Sequence, residues 1–573
     1  SKKAKNVSAT DRVKQYPLGV LHSNGGKLFC TYCNVTVDHY RKSSVDRHLG
    51  SSTHRKRKTE IQSTTANDSL AKRQKTVTSL FQKSTENCEA QNCLNFELTE
   101  AFVPTNIPLE KLDNKKLRNV PNGGAIPSST QLRRKYLPKV AKCHKQEIME
   151  LVNLSVVTDE STDAQDQYVL HILFVLQGLN DEDASDSEMK TILTDTMYLQ
   201  TVNYTTISQA IVKCLNNFGV DFNNIIAFIS DNATYVSKAY NQVLQGLLSN
   251  SVHLTCNAHI VALVSDIWRT NFPEVDKLIA TVKKVFKYCP SRKLHFKEHL
   301  QSTVQVVGSN LRVKLPPEPV KTRWGSWYAA TEYHAQYITS YSTNTQVLKE
   351  LKHLLDNSEI LQVQLKLIAR YGKELVVLIK WFESHEIRVH QAYNKVVDLI
   401  NTYKALKGEQ HSGDAGIQSQ CIKTFTEVAG KFTSYYGPSR SERTSRFTQP
   451  AHQFLKAVRV FAPLQVCTLN LDALLLDSIP GFNRGCKTDL ECYQFYAKEC
   501  SSDLSLTAFW RSAEPRFPNI AKLAKQYLPV VPNSVDAKRS ISAGFYCTEA
   551  IHRQSLKKEQ VNRLMMLNFN SKP

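Results

Sequence analysis

Three groups of residues in this chain have the types and spacing to do chemistry. The first is Cys30-x2-Cys33-x14-His48-x5-His54. Two thiolates and two imidazoles suit tetrahedral Zn2+, and a Cys-x2-Cys turn can present both sulfurs to one ion. The His spacing is wide, so a helix bearing both must end or distort between them. His39 is a competing ligand, and two buried cysteines beside incidental surface histidines are the plainer alternative. Leu28-Phe29 before the first Cys offers an aromatic for a small core. The second group is a pair of acids, Asp159 and Asp231. Each directly follows an apolar, strand-like run: LVNLSVVTD (151–159) and NNIIAFISDNA (223–233). Carboxylates on neighbouring strand ends can share Mg2+ or Mn2+ ions about 3.5–4 Å apart, as phosphodiester cleavage by two metals requires. Turn and helix-cap roles are the commoner use of such aspartates. Glu160 and Asp163 add local acidity. The third group is NSVDAKRSISAG (533–544), where Asp536 is followed by Lys538 and Arg539.

Two shorter motifs accompany these. Cys256-Asn-Ala-His259 follows a strand-like VHLTC and opens a helix, a structural junction more than a metal site, since no second pair lies near in sequence. Lys321-Thr-Arg-Trp-Gly-Ser-Trp327 is a basic, aromatic loop. Indoles stack on bases and cations hold phosphates, although core tryptophans read the same way. Arg41, Lys42, Arg47, Arg55, Lys56 and Arg57 surround the Cys/His group and are candidate phosphate contacts.

The elements that must position these residues divide the chain. Residues 1–60 form a compact Cys/His-bearing segment, and 61–92 a polar, basic linker. HRKRK (54–58) and AKRQK (71–75) together resemble a bipartite nuclear-import signal or a solvated tether. Residues 93–150 read as helical with a turn at VPNGGAIP. From 151 to 330 the apolar runs YVLHILFVLQ, MKTILTDTMYL and NNIIAFIS alternate with helical spacing at ISQAIVKCLNNF, which predicts a mixed α/β sheet. Residues 331–500 carry long amphipathic helical patterns, and 501–573 return to short helices.

With 573 residues and 41% hydrophobic composition the chain has several cores, and its net charge of +21 points to a polyanion partner, most often nucleic acid. No apolar run reaches membrane-spanning length. The N-terminus SKKAKNVSATDRVK lacks the apolar core of an export signal and begins without Met, as a fragment would. The 14 scattered cysteines then read as reduced thiols of an intracellular protein.

VVTDEST, FISDNA, CNAH, TRW and the tail SVDAKRSISAG…LMMLNFN, in this order, resemble a hAT-superfamily transposase over most of residues 150–570. The N-terminal 140 residues resemble the subgroup whose N-terminus is similar to the CGG-triplet-repeat-binding protein, a BED-like zinc finger. The resemblance implies a multi-domain α/β plus α architecture: a small finger and an RNase H-like mixed-sheet core interrupted by an all-helical insertion. It implies Mg2+- or Mn2+-dependent cleavage and transfer of double-stranded DNA, in the nucleus, by a homodimer or higher oligomer formed through the C-terminal region. Asp159 and Asp231 match two of three metal-binding acids, and Trp324, after Arg323, matches a tryptophan that stacks on a flipped base. Cys256 and His259 match a motif that supports the site. Tyr496, Trp510 and the stripe Leu556, Val561, Leu564, Leu567 fall in the C-terminal region; that stripe equally suits intramolecular packing. At the third acid the relatives carry Glu, where this chain has Lys538. An ammonium has no lone pair for a metal. Asp536 cannot take over, because two residues are about 200° around a helix. The resemblance therefore implies a transposase-derived DNA-binding protein with impaired cleavage. The alternative is a nuclear regulatory protein that only binds DNA.

Overall fold

A computed structural model of the chain describes residues 7–64, 77–114, 126–149, 154–163, 165–176, 189–307, 312–320, 324–341, 351, 354–355, 358–437, 449–499, 505–549 and 556–571. They fall into two compact units. One comprises Ser1–Thr99 and Leu112–Ser128, the other Glu100–Lys111 and Ser129–Pro573.

The first unit opens on the short helix Ala9–Val13, capped by the Ser8 side chain. A three-stranded antiparallel meander follows: β1 (Leu21–Asn24), β2 (Lys27–Cys30) and β3 (Val35–Val37). Gly25 and Gly26 both have positive φ, which a two-residue hairpin turn of this hand requires. Strand alternation puts Leu28 and Cys30 on the buried face. Phe29 therefore points the other way and stacks on His22 at 5.5 Å, so the expected aromatic core residue is replaced by Leu28. Helices Lys42–Gly50 and Ser52–Thr64 complete the packing around Val45. The basic cluster HRKRK lies on the second of these helices instead of in a tether. AKRQK and most of VPNGGAIP lie outside the described residues.

The second unit is built on a five-stranded mixed sheet of β4 (Leu154–Thr162), β5 (Tyr168–Leu176), β6 (Lys190–Leu199), β7 (Ile225–Ser230) and β8 (Val252–Thr255), in the order β6-β5-β4-β7-β8. β5 runs antiparallel to β4 and β6, while β4, β7 and β8 are parallel. The central strands are buried on both faces, which is why they read as continuous apolar runs. One face packs against helix Tyr204–Asn217 and the helical turns after β7, through Ile207, Ile211, Val236 and Leu244. The other face joins a much larger core. It includes helix Asn257–Asn271, the helices between Pro273 and Tyr436, and the C-terminal helices Val535–Glu549 and Lys558–Asn570. The sheet and the helical region thus share one continuous apolar core. No described helix is long and apolar enough to cross a membrane.

Candidate functional site

In the first unit, Cys30, Cys33, His48 and His54 each offer a ligand atom, all within 4.8 Å of one another. Cys30 ends β2, and the chain turns through Asn34, whose N–H donates to the Cys30 carbonyl at 2.9 Å with φ of 51°. This tight turn brings the Cys33 sulfur beside that of Cys30. His54 Nδ1 lies 3.3 Å from Cys30 Sγ and 3.4 Å from Cys33 Sγ. The helix bearing His48 stops at Gly50, Ser51 is extended, and a new helix begins at Ser52. The Ser51 hydroxyl accepts from the His54 N–H at 3.2 Å, so it caps the second helix and fixes the ligand. The wide histidine spacing is thereby resolved by a helix break. His39 lies outside the cluster and packs on Tyr40.

The group fits a metal. His48 Nε2 is buried without a hydrogen-bond partner. Burial lowers the pKa of both histidines and keeps them neutral, the ligating form. Burial raises that of the Cys33 thiol, which a divalent ion would deprotonate. The cysteine–histidine donor set and four-fold closure suit structural zinc. Arg41, Lys42, Arg47, Arg55, Lys56 and Arg57 are all exposed around it. Arg57 also donates to the Cys33 carbonyl at 3.0 Å. Arg12, which sequence reasoning missed, is buried and donates to the carbonyls of His39 (2.8 Å) and Tyr40 (3.1 Å).

In the second unit the two acids come together. β4 and β7 are hydrogen-bonded parallel neighbours with Val157 opposite Ile229. Two residues further on, that register sets Asp159 and Asp231 side by side on the same face. Asp159 lies inside β4, three residues before its end, whereas Asp231 directly follows β7. Asp159 is only 7% exposed. Burial, then the neighbouring Asp231 and Glu160, push its pKa up to about 7, against the opposing pull of Lys538. Burial raises Asp231 and Glu160 as well, with Lys538 again opposing. Asp231 accepts from the Ala233 N–H at 3.0 Å, and Tyr235, one turn beyond and absent from the sequence-based candidates, donates to Glu160.

The Cys256-Asn-Ala-His259 segment joins this sheet end to the C-terminal helix. The Cys256 N–H donates to the Ser230 carbonyl at 2.8 Å, and its sulfur accepts from the Ser534 N–H at 3.2 Å. The Asn257 side chain donates to the Pro532 carbonyl at 2.9 Å and accepts from Gln449 and Tyr436. His259 Nδ1 lies 3.2 Å from Lys538 Nζ. Burial, with help from that cation, takes the His259 pKa down to about 4, so it is a neutral acceptor. Asp536 faces elsewhere: it accepts from Thr191 at 2.8 Å and from Arg539 at 2.9 Å.

Trp324 opens helix Trp324–Tyr337 and is 3% exposed, packed on Trp327 and Tyr328. Stacking on an extruded base requires this ring to leave that packing. Arg323 lies outside the described residues. Trp510 is buried and donates to the Phe461 carbonyl at 2.8 Å. Val561, Leu564 and Leu567 are buried, Val561 in the large core.

Three family models match the chain. The CGGBP1 N-terminal domain matches residues 3–60, and the CGGBP1 helical domain residues 85–139. The hAT family C-terminal dimerisation region matches residues 489–571. The chain belongs to the hAT-type group with a CGG-triplet-repeat-binding-protein-like N-terminus. CGG triplet repeat-binding protein 1 of Homo sapiens is 43% identical over 144 residues, 24% of this chain and 83% of the relative. Its counterpart in Mus musculus is 41% identical over 143 residues, with the same shares covered. Within this hAT-type chain, the metal-binding cluster lies in the first matched segment and Lys538 in the last.

Proposed function

We propose that this chain is a transposase-derived, nuclear DNA-binding protein. Its finger carries recognition and its RNase H-like core no longer cleaves efficiently. The observation that carries the reading is the closed Cys30–Cys33–His48–His54 group ringed by exposed cations, in the segment that matches the CGGBP1 N-terminal domain of a protein named for binding CGG triplet repeats. Zinc fixes the two helices of the finger, and Arg41, Lys42, Arg47, Arg55, Lys56 and Arg57 meet phosphates. The net charge of +21 supplies a salt-sensitive background affinity. The mixed sheet order, with antiparallel β5 and parallel β4, β7 and β8, supports the RNase H-like reading. Residues 151–330 and 501–573 would supply that core, 331–500 its helical insertion, 93–150 a helical connection and 61–92 the linker. The C-terminal region would support a homodimer or higher oligomer.

The test is binding of the zinc-loaded full chain to duplex CGG repeats and to a scrambled duplex over a range of salt. We expect preferential binding to the repeats, lost in Cys33→Ser. Equal binding to both duplexes would remove sequence recognition from the finger. A second reading, residual metal-dependent cleavage, is favoured by the adjacency of Asp159 and Asp231. Nicking of the repeats flanking its own locus in Mg2+ or Mn2+, abolished by Asp159→Asn, would establish it. Cleavage only by Lys538→Glu would show a scaffold disabled at that position.

A further inference from the structure

The buried Asp159 and the half-buried Glu160 and Asp231 gather carboxylates at one end of the sheet. A buried carboxylate without a counter-charge is costly, so such a group needs a cation or protons. Among the described residues, Lys538 is the cation whose charge acts on all three. Its helix, Val535–Glu549, is fixed against the same sheet face at two points. Ser540 hydrogen-bonds to His171 of β5 at 2.7 Å, and Asp536 to Thr191 of β6 at 2.8 Å. Both sit on the helix face that Lys538 does not share. Lys538 instead meets His259, its Nζ 3.2 Å from the neutral Nδ1. One N–H is thereby used, and no ion pair of 4.0 Å or less joins Lys538 to Asp159, Glu160 or Asp231, so its charge acts on them through space.

The residues present do not fit a divalent metal pair. An ammonium contributes no ligand lone pair, and its positive charge on the helix packed over this face of the sheet repels a divalent ion placed at the acids. We propose that the Lys538 ammonium is the resident cation of this site, substituting for divalent metal by offsetting the charge of the strand-end acids. The proposal rests on reading Asp159 and Asp231 as one acid pair, and it is independent of DNA binding by the finger.

The experiment is thermal unfolding of the zinc-loaded full chain without DNA, with and without millimolar Mn2+. Tryptophan fluorescence reads the second unit alone, because all five tryptophans lie there. The chain as it stands should melt at the same temperature in both conditions. Lys538→Gln and Lys538→Glu should melt several degrees lower without Mn2+ and recover with it, Glu the more because it adds a ligand. Asp159→Asn placed on Lys538→Glu should remove the recovery. The proposal is overturned if Lys538→Gln is as stable as the parent without metal. It is equally overturned if the parent gains stability from Mn2+ and Asp159→Asn abolishes that gain. Should the variants not fold, Mn2+ titration of the parent by electron paramagnetic resonance decides. Mn2+ remaining free at the core supports the resident ammonium, and Asp159-dependent uptake refutes it. DNA binding that persists throughout leaves the finger reading intact.

Discussion

Ser51 decides whether the two histidines of the finger can meet. It ends one helix with an extended backbone and caps the next by accepting from the His54 N–H. Ser51→Ala should cost about 1 kcal/mol of finger stability. It should also weaken zinc retention, measured by chelator competition. His54→Ala should do far more: loss of the equivalent of zinc and of the unit's helical circular dichroism, because ligand closure supplies folding energy in a unit this small. Retention of full zinc by His54→Ala would contradict the four-ligand assignment. The ligand set was legible in the sequence because donors and spacing are local properties. Phe29 is turned away from Leu28 and Cys30 by strand alternation, which its residue type alone does not carry.

The elements show how the sheet protects its edges. On β6, Asn570 makes a paired contact with the backbone of Leu193, accepting from the N–H at 2.7 Å and donating to the carbonyl at 3.1 Å. Asn562 accepts from the Thr196 N–H at 3.0 Å. On β8, Gln449 does the same for Thr255, with bonds of 2.8 and 2.7 Å. Side-chain amides thus continue the ladder where a further strand would pair, which blunts both edges against association. Asn562→Ala and Asn570→Ala should each cost about 1–3 kcal/mol, since edge backbone groups remain buried without partners. Chemical denaturation followed by tryptophan fluorescence checks this. Removal of residues 558–573 should cause aggregation, read by light scattering; a monodisperse product would refute the edge-guard role. On the same helix Val561, Leu564 and Leu567 are buried. Val561, with Met565, packs in the core that the sheet shares.

At the scale of the second unit, burial dominates its response to pH. His171, His253 and His334 are buried, and desolvation lowers each to a pKa of about 3. Their unfolded values lie near 6.5. Below that pH the unfolded chain binds protons that the folded core refuses. Stability is therefore full above about pH 6.5 and falls on acidification toward pH 3, by up to about 1.4 kcal/mol per pH unit for each histidine. Denaturation midpoints read by tryptophan fluorescence should decline from pH 6.5 to pH 4, the three histidines outweighing Asp159, whose raised pKa of about 7 contributes the opposite slope over that window. A flat profile would contradict the buried-neutral assignment.

By itself the sequence determined the donors of the finger, the apolar runs of the sheet and the cation at 538, because residue type, spacing and periodicity are local and survive without coordinates. Tertiary structure alone decided the strand order that makes Asp159 and Asp231 neighbours. It also set Asp159 inside its strand instead of past the end, and buried Trp324, the core placement that the residue types left open beside a stacking one. The approach of Lys538 to His259 bridges 279 positions. Such contacts are set by how β4, β7, β8 and the C-terminal helix pack into one core. That packing follows from collective burial of surfaces far apart in the chain, and no short window of sequence encodes it.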